Sequence, residues 1–133
     1  MTPQDLIQRA EHMREKAYAP YSNFSVGAAL LTEDGSVFTG CNVENAAYGA
    51  CICAEQTAIV KAVSEGQQTF KAIAITAGSD DYCLPCGQCR QIMNEFAPNL
   101  EVLCGRADGN FLRYPLKELL PHAFRLEREG DNT

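Results

Sequence analysis

Apolar positions near the start of the chain recur at helical spacing. Leu6, Ile7, Ala10, Met13 and Ala17 fall on one stripe with charged residues between them. Thr2 stands where an N-cap belongs, Pro3 fits the first helical position and Pro20 comes after the end, so the pattern predicts a helix over 4–18. From Phe24 the period drops to two: Phe24, Val26, Ala28 and Leu30 share one face of a predicted strand. Glu33-Asp34-Gly35-Ser36 then turns the chain into Val37-Phe38-Thr39, and an Asp-Gly pair between apolar runs is a strong hairpin signal. Gly40 to Asn45 leaves that strand for a polar loop.

Downstream, strands and helices alternate. Ala54, Ala58, Ile59, Ala62 and Val63 predict a second helix over 53–65, ended by Gly66. Ala72 to Ile75 reads as a short buried strand, and Cys86 to Ala97 as a third helix with Cys89, Ile92, Met93 and Phe96 on one side and Pro98 as its stop. Leu100 to Cys104 predicts a strand, Ala107 to Asn110 a turn, Phe111 to Tyr114 an edge strand and Leu116 to Leu120 a short helix. The charged tail from Glu127 is expected to fray. No linker or internal repeat divides the 133 residues, so residues 1–133 are expected to form one α/β domain with helices on both faces of a mixed sheet.

Composition narrows the function classes. Hydrophobic residues at 46% and charged residues at 21% suit a globular core and exclude a disordered chain. No apolar run approaches the ~20 residues of a membrane helix, and the N-terminus lacks the apolar stretch of a signal peptide, which predicts a cytoplasmic protein. Eleven basic against seventeen acidic residues leave a net charge of −6, which argues against a nucleic-acid binder. His12 lies among charges and His122 stands alone, so neither is given a role.

The seven cysteines are the anomaly. An odd count without an export signal disfavours a disulfide framework, leaving core packing, redox chemistry or metal ligation. Cys41 and Cys104 sit inside apolar runs and read as core. Cys86 and Cys89, at i and i+3, point to one side of a helix and can share one ion, with Cys53 as a third sulfur. Three protein ligands leave the fourth tetrahedral position open, the catalytic arrangement for zinc. Glu55, two residues past Cys53, can stay off the metal and move protons. Cys-Ala-Glu with Pro-Cys-Gly-Gln-Cys, each opening a helix, matches the signature described for zinc deaminases. The alternatives are a structural zinc site completed by Cys51 or Cys83, or a redox Cys-x-x-Cys pair. Cys51 lies upstream of the helix start and Leu84-Pro85 is expected to direct Cys83 away, so both read as bystanders.

Further segments carry a resemblance. Pro20-Tyr21-Ser22-Asn23-Phe24-Ser25-Val26-Gly27-Ala28-Ala29-Leu30, Gly40 to Tyr48, and Leu119-Leu120-Pro121-His122-Ala123-Phe124 join the two cysteine motifs in family-like order. The chain thereby resembles the cytidine deaminases, in their small homotetrameric type with three cysteine ligands. The resemblance implies a three-layer α/β/α fold with about five strands. It also implies one zinc per subunit, held by Cys53, Cys86 and Cys89, with Glu55 as proton shuttle in hydrolytic deamination at C4 of cytidine and 2′-deoxycytidine. Phe24 resembles the aromatic that packs on the pyrimidine, and the Ala54 N–H the donor to its 2-oxo group; Asn42 and Glu44 resemble the pair that binds the ribose 3′-hydroxyl. Ala46, Tyr48 and Phe124 resemble positions that serve a pocket across a subunit boundary. On periodicity alone Phe24 reads as core sooner than as a ligand contact; the plain alternatives are loop residues for Asn42 and Glu44 and interface packing for Tyr48 and Phe124. The resemblance places the enzyme in pyrimidine salvage, with a nucleoside substrate and no nucleic-acid or membrane partner; a deaminase for an aminonucleoside antibiotic is the neighbouring alternative.

One departure matters. Three thiolates on a divalent zinc leave the site negative, and family members with three cysteines often carry Arg directly after the catalytic Glu. Here the residue is Gln56, so the two helix dipoles and Arg90, beside Cys89, are the candidates for balancing the charge.

Overall fold

The structure, a computed structural model, describes residues 1–127 of the chain, so all but the first residue of the tail expected to fray lies outside the described residues. Helix α1 (Pro3–Met13) opens on Thr2, whose side chain accepts from the Asp5 N–H while the Asp5 carboxylate accepts from the Thr2 N–H. This reciprocal cap and Pro3 in the first turn set its start, as the sequence predicts. The helix ends earlier than its apolar stripe suggests. Arg14 to Lys16 tighten into a 3-10 turn, and Ala17 is already extended.

Strands β1 (Gly27–Thr32) and β2 (Val37–Cys41) form the expected antiparallel hairpin, with Gly35 at a φ of 91° in its turn. Helix α2 (Ala54–Ser64), β3 (Phe70–Thr76), α3 (Gly87–Phe96), β4 (Glu101–Gly105), β5 (Phe111–Pro115) and the short α4 (Leu116–Leu119) come next. They build a five-stranded sheet in the order β2-β1-β3-β4-β5. β3 and β4 are parallel and every other pair is antiparallel, so the sheet is mixed.

Period-two alternation assigns each face of the central strands. Ala72 and Ala74 of β3 join Ala29 and Leu103 beneath Leu6, Ile7 and Ala10 of α1. Ile73 and Ile75 point the other way, into a larger core with Leu30, Ala58, Ile59, Met93 and Leu116. Small residues facing α1 let its backbone come close; each fully buried Leu or Ile contributes about 1.5–3 kcal/mol. Cys104 belongs to the second core, as expected. Cys41 does not: it ends an edge strand, half-buried, with its thiol donating to the Lys16 carbonyl at 3.5 Å.

The topology gathers four strand ends at one edge. Gly27 at the start of β1 pairs with Cys41 at the end of β2 and with Thr76 at the end of β3, while the end of β4 runs parallel beside β3. The chain leaves β2 there to enter α2, and leaves β3 there to enter α3. Both helices therefore begin at the same edge, the crevice at the carboxyl ends of parallel strands where α/β proteins bind ligands.

Candidate active site

Cys53 caps α2 and Cys86 caps α3, each in extended backbone, so both sulfurs stand at helix N-termini. Cys86 is thus the cap and not part of the helix, and its Sγ accepts from the Cys89 N–H one turn on. The positive ends of two helix dipoles favour thiolate at this point. The three Sγ atoms of Cys53, Cys86 and Cys89 lie within 4.8 Å of one another, and no fourth His, Cys, Asp or Glu joins them among the described residues. A tetrahedral zinc with Zn–S of about 2.3 Å separates its sulfurs by about 3.8 Å. The cluster needs only a contraction of about 1 Å to fit, and three soft thiolate donors with one open position suit zinc. Thiol donation, from Cys89 first and from Cys86, lowers Cys53 to about 7 against its burial and the Glu55 charge, and the Cys53 contact pushes Cys89 upward.

Glu55 lies in the first turn of α2, only 4% exposed. Burial pushes its carboxyl upward, while its own backbone N–H and the Cys89 thiol pull it back. A carboxylate kept from water beside the sulfurs is suited to take and return a proton. Two contacts press α2 onto the end of β2. Thr57 Oγ1 donates to the Cys41 carbonyl at 3.1 Å, and Gly40 leaves no room for a side chain: a Cβ there would lie 2.5 Å from the Ala54 carbonyl oxygen.

A cavity of about 290 Å³ opens over the sulfurs, lined by Phe24, Asn42, Glu44, Cys53, Ala54, Glu55 and Cys86, with Val26, Cys51, Ile52, Cys83 and Leu84 completing the wall. A larger concavity of about 650 Å³ beside α1 is lined by Met1, Asp5, Gln8, Arg9, His12, Met13 and Thr39, with no cysteine and no buried carboxylate. Chemistry, not size, therefore selects the smaller one.

Phe24 is half-exposed at this cavity and is not core; it precedes β1 instead of sharing its face. Ala54 stands at the first position of α2, where backbone N–H groups lack intrahelical acceptors. The Asn42 side chain donates to the Phe24 carbonyl at 2.8 Å and accepts from the Val26 N–H at 2.9 Å. Glu44 Oε1 accepts from the N–H groups of Tyr21 and Ser22 at 2.9 and 3.2 Å, and Oε2 accepts from the Ser22 hydroxyl. These donors, the Ser22 hydroxyl first, hold the Glu44 carboxyl below its usual range.

Ala46, Tyr48 and Phe124 are outside the lining of this cavity. Tyr48 is 80% exposed and lines an adjoining hollow with Tyr21, Ser22, Glu44 and Cys51; Phe124 is 67% exposed, its carbonyl held by Gln91 Nε2 at 3.0 Å. The Gln56 side-chain carbonyl accepts from the Cys53 N–H at 3.3 Å, closing the cap of α2. Arg90 is not a solvated cation, since Nε donates to the Pro85 carbonyl and an Nη to the Leu119 carbonyl, both at 2.8 Å.

Cys51 stays outside the sulfur cluster, as expected, tied to Asn45. Cys83 corrects the sequence reading. Leu84-Pro85 do not direct it away; it lines the cavity, packs against the core and is pushed by burial up to about 12. A buried, protonated thiol of this kind is wall and not ligand. Ser22 and Cys83 are the site residues that sequence reasoning missed, although both lie inside or beside the motifs that mark the site.

Residues 1–104 match the family model described as the cytidine and deoxycytidylate deaminase zinc-binding region. The chain belongs to the cytidine and deoxycytidylate deaminase family. A cytidine deaminase of Halalkalibacterium halodurans is 48% identical over 132 residues, spanning 98% of this chain and all of that protein. The crystal structure of a cytidine deaminase from Burkholderia pseudomallei superposes with a TM-score of 0.90 at 51% identity, covering 93% of this chain and 100% of the other. One from Mycobacterium tuberculosis gives 0.83 at 38% identity, covering 95% and 99%. The three-sulfur cluster is thus the zinc centre of a deaminase-family fold with a mixed five-stranded sheet.

Proposed function

We propose that this chain hydrolyses cytidine and 2′-deoxycytidine to the corresponding uridine and 2′-deoxyuridine, releasing ammonia. The observation that carries the reading is the buried carboxylate of Glu55 in one cavity with sulfurs of the zinc cluster, an exposed-edge aromatic and a polar pair. The cavity volume, about 290 Å³, suits one small ligand and not a polynucleotide strand. The similarity to the cytidine deaminases of Halalkalibacterium halodurans and Burkholderia pseudomallei supports the substrate.

In this reading Cys53, Cys86 and Cys89 hold one zinc per subunit. When bound, zinc lowers the pKa of a water toward neutrality and so supplies the nucleophile. Glu55 would take a proton from water as oxygen bonds to C4 and deliver it to N3 of the pyrimidine. Glu55 would then take a second proton from the oxygen now on C4 and carry it to the C4 amino group, so that C4=O forms as the C4–N bond breaks and ammonia leaves. The Ala54 N–H donates to the 2-oxo group, and Phe24 packs on the ring.

Hydrogen-bond capacity sharpens the sugar contact. A carboxylate accepts at about four lone-pair sites, and three of those on Glu44 are occupied by Tyr21 and Ser22. One acceptor remains, on Oε2. Asn42 Nδ2 carries two hydrogens and gives one to Phe24. With the second lone pair of Asn42 Oδ1, beside the one that accepts from Val26, the pair keeps two acceptor sites and one donor; the Glu44 acceptor with the Asn42 donor suits a single hydroxyl, read here as the 3′-hydroxyl common to both nucleosides.

The reading extends to residues 1–133 as one domain in a cytoplasmic homotetramer acting in pyrimidine salvage, with Ala46, Tyr48 and Phe124 lent to neighbouring pockets. The exposure of Tyr48 and Phe124 supports that role. The test is the ultraviolet change as cytidine becomes uridine, with zinc-loaded protein beside Glu55→Ala. The expected result is turnover in the parent and loss of most of it in a variant that keeps zinc. Near-parental turnover in the variant removes Glu55 from the mechanism, and an inactive parent with zinc bound points to a different aminated substrate or a structural zinc module.

A further inference from the structure

We propose that Ser22 is a positioning residue for the nucleoside reaction, linking the sugar-binding carboxylate of Glu44 to the base-packing ring of Phe24. The inference rests on the nucleoside reading above and goes beyond it in assigning a residue and a coupling.

The geometry is a relay through one hydroxyl. Ser22 Oγ donates to Glu44 Oε2 and accepts from the Phe24 N–H at 3.0 Å. On the other side, the Phe24 carbonyl accepts from Asn42 Nδ2 at 2.8 Å. Both backbone groups of Phe24 are thus bonded to side chains, one belonging to the sugar-binding pair and one bonded to its other member. No neighbouring strand shares this work, because β1 begins at Gly27.

The intervening backbone explains why the clamp is needed. Asn23 has a φ of 58°, in the left-handed region that L residues avoid and that Asn tolerates best. A left-handed residue between Ser22 and Phe24 bends the chain sharply and sets the exit direction of the Phe24 ring. Without the Ser22 hydroxyl nothing ties this bend to Glu44 except the N–H groups of Tyr21 and Ser22 itself. Phe24 lies half-exposed, so little packing would hold it otherwise.

Ser22→Ala removes two hydrogen bonds, the one from the Phe24 N–H and the one to the Glu44 carboxylate, the latter in the class worth about 1.5–3 kcal/mol, or roughly 10- to 150-fold. The readout is a mutant cycle of the full-length zinc-loaded protein: parent, Ser22→Ala, Phe24→Ala and the double variant. Each is measured for kcat and KM on 2′-deoxycytidine and for inhibition by 2′,3′-dideoxyuridine, which has no 3′-hydroxyl for Glu44. The expected result is a KM and an inhibition constant raised about tenfold or more by Ser22→Ala, with kcat changed less. In the Phe24→Ala background the same change should cost under twofold, since contacts that act through one residue are non-additive. Ser22→Thr, which keeps the hydroxyl, should recover most of the affinity. The inference is overturned if Ser22→Ala leaves dideoxyuridine binding unchanged, or if its penalty persists in full without Phe24. A parent that turns over no nucleoside overturns the nucleoside reading itself, and this coupling with it.

Discussion

Gly40→Ala should disable the chemistry from a position that contacts no substrate. A Cβ at residue 40 would stand 2.5 Å from the Ala54 carbonyl oxygen, 2.6 Å from the Ala58 backbone nitrogen and 2.9 Å from the Thr57 Cβ. Two of these are backbone atoms of α2 and cannot rotate aside. Ordinary contact begins at 3.4 Å, so the first turn of α2 must retreat by about 0.9 Å. That turn carries Glu55 and is capped by Cys53, whereas Cys86 caps α3, Cys89 sits on it, and neither has reason to move with α2. A misplacement of about 1 Å costs on the order of 100-fold in rate, and overpacking about 1–3 kcal/mol in stability. The expected outcome is kcat on cytidine down roughly 100-fold with a smaller change in KM, in protein that still melts cooperatively. Thr57→Val is a milder companion, losing the hydroxyl that donates to the Cys41 carbonyl at 3.1 Å and to the Cys53 carbonyl at 3.4 Å, about 1 kcal/mol, and less than tenfold in kcat. Parental kcat in a folded Gly40→Ala protein would refute the claim that this close approach sets the position of Glu55.

The same contacts lead to three further outcomes. Asp34, in the hairpin turn, is lowered from 3.8 to about 2 by the Thr32 hydroxyl first and the Ser36 N–H next. Because its folded value is depressed, its contribution is fully present above pH ~4 and lost as pH falls toward 2. The gap in urea midpoint between the parent and Asp34→Asn should therefore be constant above pH ~5 and close below it; a gap independent of pH would remove Asp34 from the acid limb. Arg90→Met keeps the stem but leaves the Pro85 and Leu119 carbonyls without their guanidinium donor, so unfolding free energy should fall by roughly 2–4 kcal/mol, measured by denaturant titration. Gln56→Arg adds a positive charge beside Glu55, which favours its carboxylate and should move the acid limb of the pH–rate profile to lower pH; an unchanged profile would show that the site charge is already balanced.

Much of the fold was legible because its core obeys simple periods. Alternation in β3, Ala72 and Ala74 against Ile73 and Ile75, states in four residues which face meets α1 and which meets the larger core. Helix starts were legible to within one residue: the expected starts at 4, 53 and 86 became Pro3, Ala54 and Gly87, with Thr2, Cys53 and Cys86 as the caps. Helix ends and strand starts were less so. The apolar stripe of α1 runs on to Ala17, yet the helix stops at Met13, where Arg14 turns its guanidinium to the Ser25 carbonyl at 2.9 Å. The period-two run starts at Phe24, yet pairing starts at Gly27, because Asn23 is left-handed and the Phe24 backbone is satisfied by side chains. Periodicity counts apolar residues; it does not see where a backbone bond is taken by a residue from elsewhere.

The site divides along the same line. Cys53, Glu55, Cys86 and Cys89 carry their chemistry in their own identities and in short spacings, so the sulfur cluster could be drawn from the chain alone. The second layer could not, because its bonds join residues far apart in sequence: Glu44 to Tyr21 across 23 positions, Arg90 to Leu119 across 29. Those two bonds change what the residues are. Glu44, a sugar ligand on the sequence reading, is also the anchor of the loop that carries Phe24. Arg90, a candidate counter-charge, is also a strut, with two of its five N–H donors on the Pro85 and Leu119 carbonyls. Gln56, standing where the resemblance leads one to look for Arg, accepts with its side-chain carbonyl from the Cys53 N–H. Hydrogen bonds to neutral carbonyls leave the Arg90 charge in place, and the two helix N-termini are further positive partners that the fold aims at the thiolates. Such partners need no side chain at all, and a substitution from Arg to Gln at position 56 leaves them in place.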